Sequence, residues 1–312
     1  MLRTHSYHPR ITFQDTNVVG NVYFLSYFRW QFECFEEWRR QHQAGGVRKD
    51  ESAILYPTHI CTSFSDPVGA TVGDCVQVAT DVLQSTGGCS ATSTEKWCEC
   101  GEYLLGDCSA SSTIKRIADG VESVLATGTI IFSNHETSKK CDSGPPKGPC
   151  YEYRRPYAPR MTHDPLDLLS VQGKCRELFL LDHAPETIRR VAGQDLALQT
   201  TSASVDILSP LPEESGEVKV ELRLEALKCG QMTVRFDYFE LDAGRPVHFA
   251  YGQQRMSCKR RYSHGLLPTP LPADVLCALR QFTDNGRLLE KITDIERFSE
   301  RAPQPHSSDC VP

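Results

Sequence analysis

The chain has 312 residues, 39% of them hydrophobic and 24% charged, a balance that suits a folded globular protein and excludes wholesale disorder. Its formal net charge of −6 argues against a nucleic-acid binder, which would carry a basic surplus. No run of about 18 apolar residues is present and the first residues lack the apolar core of a secretory signal, so the chain is expected in the cytoplasm, with no membrane partner.

The 14 cysteines are then expected to be reduced thiols rather than a disulfide framework. Cys98 with Cys100, and Cys141 with Cys150, lack the spacing and the second matching pair of a structural zinc site, so no metal or other cofactor is expected.

In chain order, the first informative segment is 15–30, a polar stretch with Gly20 that opens directly into an apolar helix expected over 22–40. Phe24, Leu25, Phe28, Phe32 and Phe35 spread over most of that helix's circumference, so a sheet is expected to wrap it. Strands are expected at 75–83 and 123–132, whereas 97–120 shows no clear period. The Gly/Pro/Lys-rich stretch 138–149 reads as a linker.

A second long helix is expected over 165–182. Strands follow where Val218, Val220, Leu222 and Leu224 alternate with charged residues, where Met232, Val234, Phe236 and Tyr238 alternate with polar ones, and over 246–259. Residues 272–282 look helical. A shift of 141 positions aligns Leu25 with Leu166, Gln31 with Gln172, Cys34 with Cys175 and Glu36 with Glu177, which points to an internal duplication. The expected organisation is one unit over 1–140, a linker at 141–150, a second unit over 151–295 and a mobile tail at 296–312. A helix followed by consecutive strands implies an α+β fold with a curved antiparallel sheet around each long helix.

The start of the first helix carries the chemistry. Free backbone N–H groups and the positive end of the helix dipole favour an anion or a developing oxyanion. Asn17, just before that turn, can orient a water or a carbonyl; from the run alone, capping of the helix by Asn17 or Asn21 competes with that role.

The run Asp15-Thr16-Asn17-Val18-Val19-Gly20-Asn21-Val22-Tyr23-Phe24 resembles the active-site segment of hot-dog-fold thioesterases of the 4-hydroxybenzoyl-CoA thioesterase type, and more closely the small thioesterases of enediyne polyketide biosynthesis. The second half resembles them through 171–185. The resemblance implies a double hot-dog, with Asn17 where the broad family commonly has aspartate and the enediyne branch asparagine. It places the family's helix arginine on Arg176. Val19, Gly20, Asn21, Val22 and Tyr27 are the implied substrate-binding residues.

The halves differ in a complementary way. The first keeps Asn17 but has Phe35 opposite Arg176; the second keeps Arg176 and has no asparagine near Ala158 or in Thr162-His163-Asp164. Positions 22 and 35 are roughly 20 Å apart along one helix, so one half alone cannot grip a small group with both residues. The expectation is a single site joining Asn17 to Arg176 across the pseudo-dimer interface. A neighbouring carboxylate pairing with Arg176 is the competing role.

Other candidates are Cys34 and Cys175 as nucleophiles or plain core, His163–Asp164 as base and orienter or helix cap, and Glu36 and Glu177 as duplicated orienters. Basic clusters at 154–155, 189–190 and 259–261 are solvated surface or receive an acidic carrier protein.

The resemblance implies a thioesterase acting on a polyketide or fatty acyl group on an acyl carrier protein. Asparagine cannot take a proton, which favours an activated, β-keto thioester. By analogy with the enediyne branch, the released β-keto acid could decarboxylate. An acyltransferase or dehydratase on the same fold, or a non-catalytic acyl-binding protein, are the alternatives, and a homodimer of double units is compatible with each.

Overall fold

The computed structural model describes residues 4–16, 22–43, 56–65, 70–84, 108–118, 121–133, 147–157, 165–209, 216–242, 245–263 and 265–301. Two compact units divide the chain. The first takes 1–141 with 163–166 and 204–211; the second takes 142–162, 167–203 and 212–312.

The first unit holds β1 (Thr4–Tyr7), a 3-10 turn at Phe13–Asp15, α1 (Phe24–Gln43), β2 (Tyr56–Phe64), β3 (Cys75–Gln84), β4 (Cys108–Ala118) and β5 (Val121–Ser133). The strand order is β1-β3-β4-β5-β2, antiparallel throughout. Side chains alternate across a strand, so Val76, Val78, Thr80 and Val82 share one face with Ala110, Ser112, Ile114, Ile130, Phe132, Ile60 and Thr62, all buried. Helix α1 lies on this sheet and buries Phe24, Tyr27, Phe28, Trp30, Gln31, Cys34, Phe35 and Trp38. Thr80 and Ser112 share a 2.8 Å hydrogen bond inside the core, so the two buried hydroxyls satisfy each other.

The second unit holds β6 (Tyr151–Tyr157), α2 (Pro165–His183) from residue 167 on, α3 (Pro185–Ala192), β7 (Leu196–Ile207) up to residue 203, β8 (Gly216–Lys228), β9 (Gln231–Asp242), β10 (Arg245–Tyr262), β11 (Gly265–Pro268), α4 (Ala273–Gln281) and α5 (Gly286–Arg301). Its order is β7-β10-β9-β8-β6, with β11 paired to β10. Helix α2 meets the sheet through Tyr238, whose hydroxyl donates to the Leu168 carbonyl at 2.9 Å, and through the edge-on ring pair Tyr151–Phe179.

Each unit is therefore a long helix against an antiparallel sheet, and the chain is a double hot-dog of the α+β class. Two elements depart from expectation. Strand β4 lies within the stretch that shows no period, because its core face is built from the small residues Ala110 and Ser112. Helix α5 runs on to Arg301, so residues 296–301 are helical and not a tail. Its cause is the buried stripe Leu288, Ile292 and Ile295, begun by Asn285, whose side-chain oxygen accepts the Arg287 N–H at 3.1 Å. The remainder of the expected tail, 302–312, lies outside the described residues.

The close fit of α1 on β5 depends on Gly128. A Cβ there would lie 2.3 Å from Gln31 Oε1 and 2.8 Å from the Cys61 carbonyl oxygen. The glutamine end can swing away, but the carbonyl is backbone. Gly128→Ala is expected to lower the unfolding free energy, read from a urea titration, by about 1–3 kcal/mol. Adding Gln31→Ala should recover only part of the loss, because the carbonyl contact remains; full recovery would place the whole cost on the side chain.

Candidate active site

The start of α1 is built by its two flanking ends. Thr16 and Val22 form an antiparallel bridge that closes the five-residue loop 17–21. Asp15, 2% exposed, fixes the near end. Its Oδ2 accepts the Thr12 N–H at 2.7 Å and the Thr12 hydroxyl at 2.6 Å, and its Oδ1 accepts from Arg29 Nη2. The Asp15 carbonyl accepts the Tyr23 N–H at 2.7 Å and the Ser26 hydroxyl at 3.1 Å, tying the loop's base to the first turn of the helix. Asn17, Val19, Gly20 and Asn21 lie outside the described residues. Val22 is buried, and Tyr27 is a core ring, 1% exposed, against Trp30 and Phe64.

Arg176 projects from the middle of α2, and only 12% of its side chain is exposed. Its Nη1 donates to Thr200 Oγ1 at 2.8 Å and to Gln254 Oε1 at 3.1 Å. Gln254, fully buried, donates in turn to Gln172 Oε1 at 3.1 Å. Glu177 Oε1, itself 47% exposed, lies 3.7 Å from Nη2. A guanidinium held this way keeps a fixed direction while retaining its positive charge.

At the equivalent place in the first unit, Phe35 stacks on Phe132 with ring centres 4.2 Å apart and on Trp38 at 5.8 Å. Gln31 there donates to Thr62 Oγ1 at 2.8 Å. The same helix position is cationic in one unit and part of an aromatic stack in the other.

The remaining sequence candidates separate cleanly. Cys34 and Cys175 are buried, and burial pushes both thiols up; Cys34 reaches only the Val78 and His5 carbonyls, at 3.6 and 3.8 Å. Both are core residues. Glu36 pairs with Arg39 at 2.6 Å, whereas Glu177 faces Arg176, so the matched glutamates do different work. His163 and Asp164 lie outside the described residues. The basic clusters are largely neutralised: Arg154 by Glu152 and Glu217, Arg189 by Glu186, Arg190 and Arg260 by Asp195.

Sequence reasoning missed the supports: Asp15 with Arg29, and the pair Thr200 and Gln254. Gln172 had shown itself only as a repeat match. It also missed a charged layer on the second sheet, facing away from α2. Asp237 is fully buried there and contacts Arg235 at 2.9 Å, His248 at 3.2 Å and Arg223 at 3.3 Å. Glu221 is held at 2.5 Å by both Lys219 and Arg223. Glu221 also lies with Cys150 and Glu152 in a group whose ligand atoms are within 4.8 Å of one another, but its two cationic partners already occupy the carboxylate.

No family model matches the sequence, and no curated protein matches it. Among solved structures, the chain is similar to the dynemicin thioesterase, with 32% identity over 43% of this chain and 96% of that one, at a TM-score of 0.40. It is similar to the 12:0-ACP thioesterase from Umbellularia californica with 8% identity, 82% of this chain, 94% of that one and a TM-score of 0.54. It is also similar to an acyl-ACP thioesterase from Bacteroides thetaiotaomicron, with 8% identity, 81% and 98% coverage and a TM-score of 0.51.

The charged layer sets an acid limit. Burial alone would raise the Asp237 carboxyl, but the bonds from His248 and Arg235 outweigh it and hold it below its ordinary value. The stabilisation is therefore present above the unfolded value of about 3.9 and is lost as pH falls through the lower folded value. The urea midpoint should fall as the pH drops below about 4. Asp237→Asn should be less stable at pH 7, because it strips counter-charge from Arg223 and Arg235, and should show a shallower acid slope. A slope equal to that of the unsubstituted protein would remove Asp237 from the account.

Proposed function

The chain belongs to the hot-dog-fold thioesterases, and from that membership we propose that it hydrolyses an acyl thioester carried on the phosphopantetheine arm of an acyl carrier protein. The observation that carries the reading is Arg176: a nearly buried guanidinium, aimed by Thr200 and Gln254, at a helix position that is aromatic in the first unit.

In this reading the thioester carbonyl is polarised by Arg176. Asn17 positions the attacking water. Water adds to the carbonyl carbon, the oxyanion collapses, and the carbon–sulfur bond breaks to give a free acid and the carrier's thiol. The side-chain amide of Asn17 accepts no proton, so the acyl group is an activated one, with a β-keto group as the chemistry that fits best. A β-keto acid released this way loses carbon dioxide readily.

A polyketide or fatty acyl chain on a carrier protein is the substrate class for two reasons. The residues 15–24 resemble the enediyne polyketide thioesterases, and two of the similar structures are acyl-ACP thioesterases. No helix among the described residues is long and apolar enough to cross a membrane.

The test follows thiol release from an acyl carrier protein loaded with β-ketoacyl or saturated acyl groups. Arg176→Ala should lower kcat by about 10²–10³, the effect of removing one oxyanion donor. Asn17→Ala should lower turnover comparably; a loss of about 1 kcal/mol of stability with turnover unchanged would make it a cap only. The double variant should be little worse than either single, because groups that act in one step are not additive. Gln254→Leu, which removes the acceptor that aims Arg176, should lower kcat more than it raises KM. Full activity in Arg176→Ala would sink the reading.

A further inference from the structure

A cluster in the first unit brings a thiol, an imidazole and a carboxylate together. Ile60, Thr62 and Phe64 of β2 are buried on the face toward α1. The alternating residues His59 and Cys61 therefore project from the sheet's opposite face, side by side. There His59 Nδ1 lies 2.7 Å from Asp206 Oδ1, Asp206 belonging to the stretch 204–211 that clusters with this unit. The same ring hydrogen-bonds the Cys61 thiol. The His59 and Asp206 side chains are 29% and 27% exposed, and Cys61 is half-buried, so a reagent can reach the sulfur.

The order carboxylate, imidazole, thiol has a chemical consequence. The carboxylate fixes one ring nitrogen and the ring's orientation; the sulfur lies against a group that can give or take its proton. The bonds to Asp206 first and to Cys61 second favour the protonated ring, raising His59 to about 10 against the smaller opposing effect of burial. At neutral pH Cys61 thus has a cationic ring as its neighbour on the same strand face. Among the described residues, Cys34, Cys108, Cys175 and Cys258 are by contrast buried, and burial pushes their thiols up.

We propose that Cys61, with His59 and Asp206, is an acyl-accepting site that takes an acyl group from a thioester onto its own sulfur. The Cys61 thiol first gives its proton to water; the thiolate then bonds to the acyl carbonyl carbon, the carbon–sulfur bond of the donor breaks, and the departing thiolate takes a proton from the His59 imidazolium, which water restores. One thioester is consumed and one is formed, with no oxidant or reductant. The identity of the donor rests on the thioesterase reading; the reactivity of the sulfur does not.

Two measurements on the full chain separate these. At pH 7, limiting iodoacetamide followed by peptide mass analysis should label half-buried Cys61 at least about tenfold faster than the exposed Cys75, Cys229 and Cys277, and His59→Gln or Asp206→Asn should remove that advantage. Incubation with an acyl thioester of N-acetylcysteamine and an acid quench should leave an acyl adduct on Cys61, absent in Cys61→Ser, whose thioester hydrolysis continues. Labelling of Cys61 no faster than the exposed thiols overturns the proposal. So does fast labelling without an acyl adduct, or an adduct shared with Cys75, Cys229 and Cys277. Loss of hydrolysis in Arg176→Ala with the Cys61 adduct retained supports it and keeps the two sites apart.

Discussion

A glutamine in the middle of a buried helix must find a hydrogen bond inside the core, and both long helices of this chain carry one at the same place. Gln31 and Gln172 are each fully buried. An unpaired buried amide costs about 1–3 kcal/mol, so the sheet facing each helix has to supply a partner. The first unit answers with Thr62 on β2, and with Gly128 on β5, which clears the space that the amide occupies. The second answers with Gln254 on β10, a side chain long enough to bond Gln172 with its nitrogen and Arg176 with its oxygen. The choice of partner for one helix residue thus decides whether the sheet can also hold a guanidinium one turn further along.

That difference explains how two units of one fold come to carry different side chains at the same helix position. Small residues opposite the helix leave the first unit free to pack aromatic rings, and Phe35, Trp38 and Phe132 form a stack. A guanidinium in that stack would lose its hydration among aromatic rings, which is a costly way to bury a charge. In the second unit Thr200 and Gln254 replace part of the water shell with oriented oxygens. Arg176 and Phe35 are therefore each the residue its own sheet can accommodate.

The duplication, both long helices and the alternating strands β8, β9 and β10 were legible because each has a period that burial imposes directly. Strand β4 was not, because a face of Ala110 and Ser112 offers no hydrophobic alternation. Helix α5 was missed because its stripe of Leu288, Ile292 and Ile295 is short and spaced among charges. Arg176 was found by resemblance, but its supports could not be: Thr200 and Gln254 come from strands 24 and 78 residues away, and no local pattern marks them. The layer around Asp237 was hidden for a related reason. In sequence Lys219, Glu221, Arg223, Arg235 and Asp237 read as the solvated side of half-buried strands, yet they shield one another so fully that Asp237 is inaccessible.

The ends of loop 17–21 bear on the chemistry as well as on the fold. Asp15 is the carboxylate nearest in sequence to Asn17, and a carboxylate beside an attacking water would ordinarily serve as the general base. Here it is spent: both oxygens are engaged, one by the backbone and hydroxyl of Thr12 and the other by Arg29, and the whole residue is buried. A proton on Asp15 would break the arrangement that closes the loop and starts α1. The carboxylate therefore acts as an anchor, and the step that Asn17 is proposed to assist has to proceed without a strong base from either described end of the loop. In the proposed reading, rate would then come from the electrophile, through a fixed positive charge at the oxyanion and an acyl group already activated toward attack.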